Sequence, residues 1–86
     1  MKFAHDRPYA DPDNAARKLV EIANTVEAVQ DGRIHVEKIN WAFLQTGGSA
    51  DEYVAGLKLT IDRGWLVIHR SGTYVKFTQA GAELFA

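Results

Sequence analysis

The chain of 86 residues contains no cysteine, which excludes disulfides, thiolate metal sites and cysteine nucleophiles. Proline occurs only at Pro8 and Pro12, so everything after residue 12 is free of its helix-breaking ring. No apolar run approaches the roughly 18 residues that a membrane span needs, and the opening Met1-Lys2-Phe3-Ala4-His5-Asp6 lacks the apolar core of a signal peptide. The expectation is a soluble, cytoplasmic protein without a membrane partner. A strong excess of one charge is also missing. The formal net charge is −1, distributed as −2 over residues 1–32, +2 over residues 33–76 and −1 over the remainder. A +2 segment is a modest electrostatic footprint for a nucleic-acid partner. The length suits one domain with a small core.

Chemistry-bearing patterns are equally sparse. His5, His35 and His69 have no metal-ligand spacing, and Gly47-Gly48 lacks the lysine and preceding strand of a phosphate loop. Ser49 has no base in a recognisable motif. No catalytic residue, metal or cofactor is therefore expected, and the chain does not read as an enzyme.

What is present is patterning. Residues 1–11 read as an extended N-terminal arm, and residues 12–86 as the folded domain. Asp11 can cap a helix whose first position suits Pro12. Apolar Ala15, Leu19, Ile22, Val26 and Val29 then recur at spacings of 4, 3, 4 and 3, predicting a helix over residues 12–30 that Asp31-Gly32 ends. Arg33-Ile34-His35 is long enough only to extend a sheet edge. Val36, Ile39 and Phe43 predict a second helix over residues 36–45.

After the Gly47-Gly48 turn, Ser49 and Glu52 form a capping-box pattern. The third helix is expected over residues 50–63, burying Ala50, Tyr53, Val54, Leu57 and Ile61. Two alternating segments, 65–70 and 73–78, flank Ser71-Gly72 and predict a hairpin with a two-residue turn. That register pairs Leu66 with Phe77 and Ile68 with Val75 on one apolar face. It also pairs His69 with Tyr74, Val67 with Lys76 and Trp65 with Thr78 on the other. Thr78 can cap a final turn over residues 79–86, with Ala82, Leu84 and Phe85 folding back on the core.

The order helix, short strand, helix, glycine turn, helix, hairpin resembles the winged helix-turn-helix family. So do two segments, Asp62-Arg63-Gly64-Trp65-Leu66 at the entry to the hairpin and Phe77-Thr78-Gln79-Ala80-Gly81-Ala82-Glu83-Leu84 at its exit. The resemblance implies an α+β fold: a three-helix bundle with a C-terminal two-stranded wing, a small extra strand and a short final helical turn. It also implies double-stranded DNA as partner and a role as a small transcriptional regulator. The third helix would lie in the major groove with Ser49, Asp51, Glu52, Ala55 and Gly56 at its front, and the hairpin would touch the backbone or minor groove. The candidate DNA-binding residues are Arg33, Lys38, Ser49, Lys58, Arg63, Arg70, Ser71, Thr73 and Lys76.

Each feature has a plainer reading. Asp51 and Glu52 repel phosphate, or simply complement the helix dipole. Lys58, Arg70 and Lys76 are phosphate ligands, or solvated charges that protect a sheet edge. Trp41 lies off the Ile39–Phe43 face and is either an interface anchor or a half-buried residue packed on the arm; Trp65 reads as a core edge. With Phe3 and Tyr9, Trp41 makes up a candidate partner interface. The alternative function is thus a winged helix used for protein contacts without DNA. A homodimer would have to form through the arm, the first helix or the C-terminal turn.

Overall fold

A computed structural model describes residues 8–26, 28 and 32–85. Among these, four α-helices and a three-stranded antiparallel sheet form an α+β structure. Helix α1 spans Pro12–Thr25, β1 Ile34–His35, α2 Val36–Gln45, α3 Ala50–Asp62, β2 Leu66–Ile68, β3 Tyr74–Phe77 and α4 Gln79–Glu83.

Asp11 caps α1 by accepting the Asp13 N–H at 3.0 Å, with Pro12 in the first turn. The helix buries Ala15, Ala16, Leu19, Val20, Ile22 and Ala23. It stops at Thr25, short of the expected residue 30. Val26 is extended (φ −75°, ψ 132°) and the Thr25 hydroxyl donates to the Ile22 carbonyl at 2.7 Å. Two consecutive β-branched residues, poor helix formers, stand where the chain leaves the helix. The expected Val29 contact and the Asp31 stop lie outside the described residues.

The arm is not extended where it is described. Pro8–Ala10 form a 3₁₀ turn against α1, held by an Asn14 amide that donates to the Pro8 carbonyl at 3.1 Å. Tyr9 packs inward on Phe43, with ring centroids 5.0 Å apart. Phe3 lies outside the described residues.

Helix α2 buries Ile39 and Phe43, as its spacing predicts. Helix α3 starts at the predicted capping box: Ser49 Oγ accepts the Glu52 N–H at 3.2 Å, and Glu52 Oε1 accepts the Ser49 N–H at 3.0 Å. Its inward face differs from expectation. Glu52, Gly56 and Thr60 are buried, Tyr53, Leu57 and Ile61 are half-buried, and Ala50 and Val54 are exposed. Closeness to α1 is the reason. A Cβ at Gly56 would sit 2.8 Å from Ala15 Cβ and 2.9 Å from Leu19 Cδ1. Small residues let the two backbones approach, and a bulky stripe would hold them apart.

Strand β3 is central, in the order β1-β3-β2. Ile34 pairs with Val75 and His35 with Tyr74 on one side; Leu66, Val67 and Ile68 pair with Phe77, Lys76 and Val75 on the other. The predicted register is the observed one, but the turn is longer. His69 N–H donates to Tyr74 O at 2.9 Å, and Gly72 N–H donates to His69 O at 2.8 Å, leaving a four-residue loop over residues 70–73. Gly72 occupies the left-handed region there, with φ 77°. Ile34, Leu66 and Val75 close over the helices and Phe77 is half-buried, whereas Ile68 is 40% exposed at the strand end.

Thr78 caps α4 by accepting the Gly81 N–H at 3.0 Å, and its hydroxyl lies within donating reach of the Gly64 and Trp65 carbonyls. Ala82, Leu84 and Phe85 do not fold into the core; all three are exposed, although Phe85 meets the Phe77 ring edge-on. Gly81 is buried instead, because a Cβ there would lie 2.0 Å from the Trp65 carbonyl oxygen. No helix of the described residues is long and apolar enough to cross a membrane.

Candidate nucleic-acid interface

Side chains alternate across a strand, so residues out of phase with Ile34, Leu66 and Val75 occupy the outer sheet face. His35 and Tyr74 pair there, as do Val67 and Lys76. Arg33 precedes β1 in the same phase, and its guanidinium carbon lies 4.7 Å from the Tyr74 ring centroid. His69 stacks on the same ring at 4.4 Å, 20° from parallel. The outer face therefore carries Arg33 and Lys76 beside a histidine–tyrosine–histidine row that spans the sheet.

The hairpin loop continues this face. His69 Nδ1 accepts the Ser71 N–H at 3.1 Å and lies 2.8 Å from Ser71 Oγ, which in turn lies 2.8 Å from Thr73 Oγ1. These bonds fix the loop backbone and leave Arg70 exposed at its tip. A hollow of about 430 Å³ lies against Val67, Ile68, His69, Arg70, Tyr74 and Lys76, with no carboxylate in its wall. Glu37 lines a second hollow together with His35 and Thr73.

Five of the nine sequence-level candidates thus gather on one side: Arg33, Arg70, Ser71, Thr73 and Lys76. The other four do not join them. Ser49 is committed to its cap. Lys58 on α3 pairs with Asp62 at 2.9 Å. Arg63 pairs with Asp13 across the α1–α3 packing and lies over the Trp65 ring, 5.2 Å from its centroid. Arg17 reaches the same carboxylate at 3.0 Å, and these two guanidinium groups, Arg17 foremost, hold the Asp13 carboxyl below its usual range. Lys38 is exposed on α2, beside Trp41.

The front of α3 also differs from expectation. Glu52 and Gly56 face inward, so the exposed positions are Ala50, Asp51, Val54, Ala55, Lys58 and Asp62. That surface is net negative and holds one cation, itself paired. The usual base readers, Arg, Lys, Asn and Gln, are absent from its first two turns.

Trp41 is 66% exposed, which overturns its reading as a residue half-buried by the arm. Tyr9, a partner-interface candidate, is turned into the core beside Phe43. Sequence reasoning missed His35 as a member of the sheet face. The signal was available: extending the hairpin alternation to a third strand puts His35 level with Tyr74.

No family model, no curated protein and no solved structure matches this chain.

Proposed function

We propose that this chain is a winged-helix module that grips the nucleic-acid backbone through its sheet face and hairpin loop, with little base reading by α3. The order of helices and strands supports the winged-helix part. One observation carries the binding part: Arg70 and Lys76 line a hollow with no carboxylate in its wall, and Arg33 is held over the Tyr74 ring beside it. Phosphate contacts dominate such affinity and make it steeply salt-dependent. Ser and Thr hydroxyls are common additional phosphate donors. The negative front of α3 argues for sequence-tolerant attachment.

The test is fluorescence anisotropy of a labelled random duplex titrated with protein at low and rising salt. Binding is expected with a log–log salt slope of about −3, as three neutralised phosphates require. The Arg70→Ala/Lys76→Ala double variant loses affinity by roughly tenfold and flattens that slope toward −1. Lys58→Ala leaves both unchanged. Absence of binding at tens of micromolar protein, or equal loss in Lys58→Ala, overturns the proposal.

A second reading, a protein-contact domain without nucleic acid, is favoured by the exposure of Trp41. It predicts no anisotropy change with any duplex.

A further inference from the structure

We infer that the outer face of α2 is a self-association surface on which two copies of this chain exchange Trp41 side chains. The inference is independent of the nucleic-acid reading. Glu37, Lys38, Trp41 and Leu44 recur at helical spacing on the side of α2 opposite the buried Ile39 and Phe43. Trp41 is 66% and Leu44 40% exposed. The indole itself forms part of the wall of a hollow of about 700 Å³, with Val26, Ala42 and Leu44 as its other apolar members and Glu37, Lys38 and Asn40 as its polar ones.

A protruding indole in the wall of an apolar hollow is self-complementary in shape. A two-fold interface sets residue i of one copy against residue j of the other, and j against i, so each Trp41 enters its partner's hollow. The charges are self-complementary too. The face carries one carboxylate and one ammonium, and a two-fold that sets each Glu37 against the partner's Lys38 leaves no like charges opposed. A strongly charged partner of either sign would leave one of the two groups opposed by like charge. The sheet face, by contrast, is positive throughout its hollow and repels a second copy of itself. A contact confined to the outer face of one ten-residue helix is small, so the dimer is weak and forms with rising concentration.

Sedimentation equilibrium of the full chain, without nucleic acid, tests this over protein concentrations from about 10 μM to about 1 mM. The average mass is expected to rise from 9.6 kDa toward twice that value. Trp41→Ala removes a largely solvated side chain, so it keeps the wild-type circular dichroism spectrum and stays monomeric. Glu37→Lys places like charges across the axis twice and abolishes association, while the swap Glu37→Lys/Lys38→Glu restores it. A wild-type chain that remains monomeric over the whole range overturns the inference, and so does a Trp41→Ala variant that still associates. A monomer whose tryptophan emission shifts blue only with phosphatidylcholine vesicles assigns the face to lipid instead and equally overturns it.

Discussion

The imidazole of His69 stacks on the ring of Tyr74 across the hairpin, with centroids 4.4 Å apart and planes 20° from parallel. The Arg33 guanidinium also lies over that ring, so one tyrosine joins both edge strands to the central one. Cross-strand aromatic pairs contribute up to about 1 kcal/mol each, and cation–π contacts at exposed sites a similar amount. Tyr74→Leu keeps an apolar residue in the strand but removes both contacts. It is expected to lower the melting temperature by about 4–8 °C, the shift that about 1 kcal/mol produces in a domain of this size, read by circular dichroism. It also releases the Arg33 guanidinium from the ring, so duplex affinity falls along with stability. An unchanged melting temperature would show that the stack contributes nothing.

Replacing Gly56 tests the α1–α3 contact. In an exposed helix interior, glycine to alanine gains about 1 kcal/mol. Here the added methyl meets Ala15 Cβ at 2.8 Å, Leu19 Cδ1 at 2.9 Å and the Ala15 carbonyl carbon at 3.1 Å. The backbone atom cannot swing aside, so α1 must shift and overpacking dominates at about 1–3 kcal/mol. Gly56→Ala is therefore expected to destabilise in urea denaturation, reversing the propensity trend. Val54→Ala, two residues earlier and 63% exposed, is the control and changes little.

The Ser49–Glu52 box gives a further stability test. Ser49→Ala leaves the Glu52 N–H without its cap and costs about 1 kcal/mol. Amide exchange at the start of α3 is expected to accelerate more than exchange in α1, because the loss is local. Uniform acceleration would mean that the cap only adds to global stability.

Asp13 makes acid stability pH-dependent. Hydrogen bonds from Arg17, and then from Arg63, lower its pKa in the folded chain below the ordinary 3.8. The unfolded chain therefore binds the proton more readily as pH falls. The stabilisation is complete above the unfolded value and is lost as pH drops through the folded one. Asp13→Asn is expected to melt lower than wild type at neutral pH and to show a shallower decline below about pH 4. Parallel acid limbs in the two melting series would exclude this linkage.

The strand register and the helix caps were legible because they rest on local patterns. Alternation on both sides of Ser71-Gly72 admits one sorting of apolar residues, and Ser49-x-x-Glu52 and Asp11-Pro12 name their own helix starts. The inward face of α3 was legible only in part: Tyr53 and Leu57 pack against the core as expected. Hydrophobicity favours Ala50, Val54 and Ile61, whereas close approach to α1 selects Gly56 and Thr60, and only the partner helix reveals that the contact is tight. The candidate site divides in the same way. That Arg70, Ser71 and Thr73 share a loop is visible in the sequence. That Arg63 is matched to Asp13, fifty positions away, is a property of the folded chain. So is the packing of Tyr9 on Phe43, since the arm's 3₁₀ turn is tied to α1 by Asn14.

The hairpin loop is centred on the same point as the shorter turn its sequence suggests, which is why the strands kept their partners while the connection grew. Residues can thus be added or removed at the tip in balanced pairs, one on each side of the centre, without sliding β2 against β3. The tip behaves as a replaceable fitting on a fixed mount: its reach and chemistry can change while Arg33, Lys76 and the aromatic row hold their places.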